Sequence, residues 1–138
     1  MLGSMASSLE AGRPADYLAR PAASDFGRAY KSIVLDELGV QPGATVADLG
    51  CGPGADFVAL ARAVGPTGRV LGIDNDASAI AFAVQVASHY PQAEVGQGDV
   101  HHFNLSEASV DRIHTDRVLQ HVAEPHAVVA EAARVLRP

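Results

Sequence analysis

Tryptophan is absent from this 138-residue chain, Cys51 is its one cysteine and Lys31 its one lysine. Each scarcity excludes something. A single cysteine rules out a disulfide within the chain, which fits a reducing, cytoplasmic setting. Aromatics make up only 5% of the residues, so the core has to be built from Ala, Val, Leu and Ile. A formal charge of −6 leaves no basic surface for a nucleic-acid backbone or an anionic membrane, and neither partner is expected. No apolar run is long enough to span a bilayer, and the N-terminal residues lack the charged and apolar regions of a secretion signal.

Hydrophobic residues nevertheless reach 48%, enough for one buried core in one domain. Residues 1–14, with Gly-Ser-Met at 3–5, read as a disordered lead-in left by cloning, and 15–138 as the domain. Helical spacing over Ser24–Leu38 puts Phe26, Tyr30, Ile33, Val34 and Leu38 on one face, with Ser24 as the cap and Gly39 at the exit. After the Gln41-Pro42-Gly43 turn, strands are expected at Thr45–Leu49, Arg69–Ile73, Ala93–Gln97 and Val110–Thr115. Helices are expected from Ala55 to Val64, from the Asp76 cap to His89, and from Pro125 with Val128, Val129, Ala132, Val135 and Leu136 inward. Arg117 to His121 reads as a brief helical turn. Strand–helix alternation of this kind predicts an α/β fold, a Rossmann-like doubly wound parallel sheet. The chain closes on Leu136-Arg137-Pro138, a helix exit that normally precedes another strand. The expectation is the N-terminal part of such a domain with its C-terminal strands missing, or a homo-oligomer that covers the open sheet edge.

The chemistry concentrates in Val46-Ala-Asp-Leu-Gly-Cys-Gly-Pro-Gly54. A strand runs into a turn with glycine at every second position, where backbone has to adopt positive φ or approach a neighbour closely. Asp48 lies two residues before Gly50, so a carboxylate enters the same crevice. A site for pyrophosphate alone has no use for that charge, whereas a cationic amino group does. Asp74, 24 residues beyond Gly50, closes the second strand where an acid meets the ribose of a nucleotide. Gly50, Gly52 and Ala55 by themselves also satisfy the dinucleotide pattern, so an NAD-dependent oxidoreductase is an alternative, disfavoured by Asp48 and Asp99. Cys51 beside a helix start invites a nucleophile reading, but no base stands at a telling spacing and a small structural residue fits better. Of the six histidines, His101 and His102 are adjacent and His121 and His126 are separated by Pro125. Neither pair forms a metal-ligand face, and no metal is expected.

With these segments in order, the chain resembles the class I S-adenosylmethionine-dependent methyltransferases, in the small-molecule branch of the ubiquinone and menaquinone biosynthesis enzymes. The resemblance runs from about Tyr17 to Pro138. It is carried by the glycine segment, by Gly72-Ile-Asp-Asn75, by Gln97-Gly-Asp-Val100, and by Asp111-Arg-Ile-His-Thr-Asp-Arg-Val-Leu-Gln-His121 with Val135-Leu-Arg-Pro138. It implies a sheet in the order 3-2-1-4 and S-adenosyl-L-methionine as cofactor, with S-adenosyl-L-homocysteine as product and a small molecule as acceptor. It also implies roles. Backbone at Gly50, Cys51 and Gly52 would pack on the methionyl part, with Asp48 near its ammonium. Asp74 would take the ribose hydroxyls and Asn75 would lie against adenine. Asp99 would accept from the adenine amino group, and the Val100 N–H would donate to a ring nitrogen. Carbonyls around Thr115 and Asp116 would hold the ammonium from the other side, while Tyr17, Arg20 and Phe26 would sit in a segment that lids the cofactor. His121 would face the acceptor, to orient or deprotonate it, or would only pack its short helix. A cofactor-binding module without catalysis is the remaining alternative, because the later strands that contribute to the acceptor pocket are absent.

Overall fold

A computed structural model describes residues 25–138. The expected lead-in, the Ser24 cap, Tyr17 and Arg20 lie outside the described residues. The chain runs α1 (Asp25–Leu38), β1 (Thr45–Leu49), α2 (Phe57–Val64), β2 (Arg69–Asp74), α3 (Ala77–Ala87), β3 (Ala93–Gln97), β4 (Arg112–Thr115), a 3-10 turn (Leu119–His121) and α4 (Pro125–Val135). Every strand pair is parallel, in the order β3-β2-β1-β4. This is the Rossmann-like order the sequence led us to expect.

Because helices cover both faces, β1 is buried along nearly its whole length. Alternation sends Val46 to one side, where it packs with Phe57, Leu60, Ala61, Val64, Val70 and Ala83. Ala47 and Leu49 go to the other side, with Val100, Phe103, Val110, Val128 and Val135. Asp48 therefore shares a face with Val46, and in register it stands between Gly72 of β2 and His114 of β4. The chain order reverses at β1, since β2 and β3 lie on one side and β4 on the other. In an open parallel sheet the crevice beyond the strand ends at that point is where ligands bind.

Local chemistry sets the boundaries. Asp76 caps α3 by accepting from the N–H groups of Ser78 and Ala79. Pro125 opens α4, where its missing N–H costs nothing. α2 begins at Phe57, two residues later than expected, because the turn through the glycines extends to Asp56. β4 begins at Arg112, and Val110 instead bridges Leu136 after α4.

Two expected apolar faces are corrected. On α1, Phe26, Tyr30 and Ile33 are 83%, 42% and 63% exposed. Only the end of that helix meets the core, through Leu35 and Leu38, and it is tied down instead by the Lys31 ammonium, described below. On α4, Val128 and Val135 are buried as expected, but Val129 is 56% exposed and Glu131 joins the buried positions. Its carboxylate accepts from the Phe103 N–H at 3.2 Å and from Arg134 Nε at 2.8 Å. Arg134 in turn donates to the carbonyls of Phe103 and Leu105. A satisfied ionic staple occupies the face that hydrophobic spacing assigned to valine. Among the described residues no helix is long and apolar enough to cross a membrane.

Candidate active site

A cleft of about 330 Å³ opens at the C-terminal ends of β1, β2 and β4. Its floor is the glycine turn. Gly50 and Gly52 adopt φ of 67° and 54°, the left-handed region that costs a side chain dearly. The Gly50 and Cys51 N–H groups both donate to the Ile73 carbonyl, at 2.7 and 3.0 Å. The Gly52 N–H donates to Asp74 Oδ2 at 2.8 Å. The turn is thus bolted to the end of β2. At Gly50 the space freed by the missing Cβ belongs to the protein, since a Cβ there would stand 2.3 Å from a methyl of Val118.

Asp48 is only 2% exposed. Its Oδ1 lies 2.9 Å from His114 Nδ1. Its Oδ2 is the one buried side-chain polar atom without a hydrogen-bond partner among the described residues. Burial pushes the Asp48 carboxyl up, and the His114 bond only partly offsets this. For His114 burial acts downward, but the bond to Asp48 and its charge prevail and raise it. Asp48 is among the residues that line the cleft, so an unsatisfied buried acceptor belongs to a cleft-lining side chain.

Asp74 is held at both oxygens, with the Asp76 N–H on Oδ1 at 2.9 Å and Gly52 on Oδ2. Each oxygen keeps a lone pair for a hydroxyl. Asn75, Val100 and His121 also border the cleft. His121 stands at the end of the 3-10 turn with its side chain exposed.

Three expectations are not gathered in. Asp99 is not among the residues that border the cleft, and its Oδ1 accepts from the backbone N–H of His101 at 2.8 Å and lies 2.6 Å from His101 Nδ1. The backbone bond, first, and then the imidazole hold its carboxyl below the usual range. Thr115 is exposed at the end of β4 and does not border the cleft. Tyr17 lies outside the described residues.

Cys51 borders the cleft but is buried. Burial, with the Asp48 and Asp74 charges, pushes its thiol far above the ordinary value. It is a packing residue, since the thiolate is the reactive form.

Spacing along the chain did not point to Lys31, Asp56 or His114. Lys31 Nζ reaches from α1 to Asp56 Oδ2 at 2.9 Å and to Asp116 Oδ2 at 3.1 Å. Burial works against its charge, but the two carboxylates prevail and raise its pKa. Asp116 also accepts from the Tyr30 hydroxyl at 3.1 Å. Burial works to raise Asp116, yet Lys31 and Tyr30 hold it below the usual range. Asp48, Asp56 and His114 offer ligand atoms within 4.8 Å of one another. Lys31 already bonds Asp56, however, and His114 already bonds Asp48. Arg117 closes the rim with φ of 57°, a strained value of the kind stored at functional sites.

The electrostatic sum is one-sided. Asp48, Asp56, Asp74 and Asp116 border the cleft against the cations Lys31 and Arg117. That excess of negative charge suits a ligand with positive centres.

Comparison with known proteins agrees with this geometry. The family model described as "Methyltransferase domain" matches residues 41–138. An uncharacterized 37.1 kDa protein in a transposon of Streptomyces fradiae is 49% identical over 122 residues, covering 88% of this chain and 35% of that protein. The 2-phytyl-1,4-naphtoquinone methyltransferase of Thermosynechococcus vestitus is 37% identical over 109 residues, covering 79% of this chain and 48% of that one. The chain thus spans about a third to a half of the length of these curated relatives. A SAM-dependent methyltransferase of Aquifex aeolicus superposes with a TM-score of 0.73 at 28% identity, over 78% of this chain and 58% of its own. With its 3-2-1-4 sheet and its glycine turn flanked by Asp48 and Asp74, the chain belongs to the class I S-adenosylmethionine-dependent methyltransferase family.

Proposed function

We propose that this domain holds S-adenosylmethionine in the cleft beyond β1, β2 and β4 and directs its methyl group to a small-molecule acceptor. The carrying observation is the buried, unpartnered Oδ2 of Asp48, a residue that lines the cleft. A buried acceptor of this kind calls for a donor, and the ammonium of the cofactor's amino-acid end supplies one. The cofactor brings an activated methyl group whose departure leaves the neutral thioether of S-adenosyl-L-homocysteine. The protein's part is position and charge. Asp74, fixed by Gly52 and Asp76, receives the ribose hydroxyls. Asn75 lies along the adenine, and the Val100 N–H donates to a ring nitrogen. Asp99 contributes through Oδ2, because Oδ1 is engaged by His101. Backbone at Gly50, Cys51 and Gly52 packs on the methionyl chain. The carbonyl of Asp116, which borders the cleft, is the better placed of the expected Thr115 and Asp116 pair to close the ammonium site, and Tyr17 belongs to the covering segment.

Holding donor and acceptor in line at a contact of about 3–3.5 Å supplies most of the acceleration such a transfer needs. His121, exposed on the cleft wall, is the candidate base for an acceptor that must lose a proton before it reacts. The names of the quinone methyltransferase relatives support a small aromatic acceptor of that kind.

Titration calorimetry with S-adenosylhomocysteine tests this reading. The wild-type domain should bind it and ignore NAD. Asp74→Ala should weaken binding at least about tenfold, since hydrogen bonds to a charged group contribute roughly 1.5–3 kcal/mol each. Binding of NAD alone, or unchanged affinity in a folded Asp74→Ala, would overturn the assignment.

A further inference from the structure

His114 is a polar residue in a strand position where a doubly covered sheet normally carries an apolar one. It is 3% exposed and does not border the cleft, so it touches no ligand directly. It stands in register beside Asp48 on the neighbouring strand, with Nδ1 at 2.9 Å from Oδ1. With Asp48 ionised its oxygens can only accept, and Nδ1 is then the donor of this contact. The bond uses one oxygen of Asp48 and leaves the other bare. The nearby Lys31 ammonium is engaged by Asp56 and Asp116 and makes no bond to Asp48.

We propose that His114 is the positioning residue of the cofactor's amino-acid end: its Nδ1–H locks the Asp48 carboxylate so that Oδ2 alone is turned to a ligand ammonium. This rests on the cofactor reading above and adds a residue to it. The carboxylate of an Asp turns freely about its last bond unless something holds it, and a charge-assisted bond from a neighbouring strand is an effective hold. Asp56 Oδ2, 3.9 Å from the same Nδ1, is the competing acceptor. Lys31 keeps it occupied, so His114 stays committed to Asp48. The ammonium then meets one fixed, desolvated oxygen.

The test compares two ligands that differ only at that end. S-adenosylhomocysteine carries the ammonium; 5′-methylthioadenosine keeps the adenosine and the thioether but lacks the amino acid. Calorimetric titration of His114→Val should show S-adenosylhomocysteine weakened by at least about tenfold, with methylthioadenosine within about twofold. His114→Asn, whose amide N–H falls near the Nδ1 position, should restore S-adenosylhomocysteine to within about threefold of wild type. Equal losses for both ligands would mean that His114 only supports the fold, and no loss for S-adenosylhomocysteine would mean that it does nothing for the ammonium; either sinks the proposal. Should His114→Val not fold, His114→Gln takes its place. Its amide falls near Nε2, so it should behave like the valine variant, and equal affinity of the Asn and Gln variants would count against the proposal. A wild-type domain that binds neither ligand would instead overturn the cofactor reading itself.

Discussion

Replacing Gly72 by alanine adds one methyl group at a crowded point of β2. An ideal Cβ there would stand 2.3 Å from Cζ of Phe57, 2.8 Å from its Cε1 and 3.1 Å from Sγ of Cys51. Comfortable carbon contacts begin at about 3.5 Å, so the ring has to retreat by roughly 1.2 Å. It has nowhere to go. Phe57 is fully buried, and its far edge already fills the space beside Gly54, where a Cβ would meet Cδ2 at 2.9 Å. Overpacking of this kind costs about 1–3 kcal/mol, and the boxed ring puts Gly72→Ala near the upper end, about 2–3 kcal/mol, against a typical total of about 5–15 kcal/mol. Urea unfolding at constant slope reads that loss directly. A second substitution identifies the cause. Phe57→Leu removes the far end of the ring, so the double variant should be more stable than the sum of the single effects by about 1 kcal/mol or more. Because the new methyl also presses on Cys51, affinity for S-adenosylhomocysteine should fall in Gly72→Ala. Gly72→Ala within about 0.5 kcal/mol of wild type, or strict additivity, would refute the reasoning.

Other outcomes follow from the same geometry. Cys51 should resist iodoacetamide in the native state at pH 8 and react at the free-thiol rate once the chain is unfolded, because burial raises its pKa and keeps it protonated; rapid native labelling, followed by mass spectrometry, would contradict the burial. Asp76→Ala should cost about 1 kcal/mol at neutral pH, the usual worth of such a cap, with the exposed part of its charge screened by solvent. The Ser78 hydroxyl bond chiefly lowers the Asp76 pKa in the folded protein. Its contribution is therefore full above the unfolded value of about 3.9 and disappears as pH falls through the lower, folded value. Urea midpoints of variant and wild type should accordingly converge near pH 2 and separate as pH rises, and a gap that persists in acid would show that the cap is not electrostatic.

Most of the fold was legible because its signals are local. Gly39, Gly43, Gly65 and the prolines at 42, 66 and 125 punctuate the chain at element ends, and short apolar runs between them set the strands. Alternation of strand and helix pointed to a parallel sheet, and the order β3-β2-β1-β4 is the one the family resemblance implied. The inward faces of α1 and α4 were less legible. Spacing rules assume that an apolar stripe is the buried stripe, whereas these helices are anchored through Lys31 and Glu131. Lys31 meets partners 25 and 85 positions away, and nothing in the spacing of those residues announces the contact. His114 did leave a sign, as a histidine in a strand whose neighbour on the same sheet face carries Asp48. Asp99 shows the opposite case, since a motif position is turned aside by His101, two residues on in the same loop.

The glycines themselves say less about the ligand than their pattern suggests. The room made by Gly50 is taken by Val118, and the room made by Gly54 is taken by Phe57 and the backbone of Ala83. A turn of this kind is needed by any strand that must double back sharply under a helix, whichever nucleotide is bound. What separates the alternatives is the set of acids around it. A dinucleotide's pyrophosphate would have to lie among Asp48, Asp56, Asp74 and Asp116, with Lys31 already committed to two of them and Arg117 paired with Asp116 on the rim. The helix N-terminus that normally receives phosphates is preceded here by Asp56, whose side chain makes no capping bond and is engaged by Lys31. A ligand with a sulfonium and an ammonium meets the reverse situation. Its charges would offset the excess of carboxylates, and on the proposed reading its ammonium would give Asp48 Oδ2 the donor it lacks among the described residues. On the proposed reading, discrimination between cofactors rests on Asp48, Asp74 and His114, placed by strand register, and on Asp56 and Asp116 in the turns that follow β1 and β4, with the glycine turn serving chiefly to bring them within reach of one another.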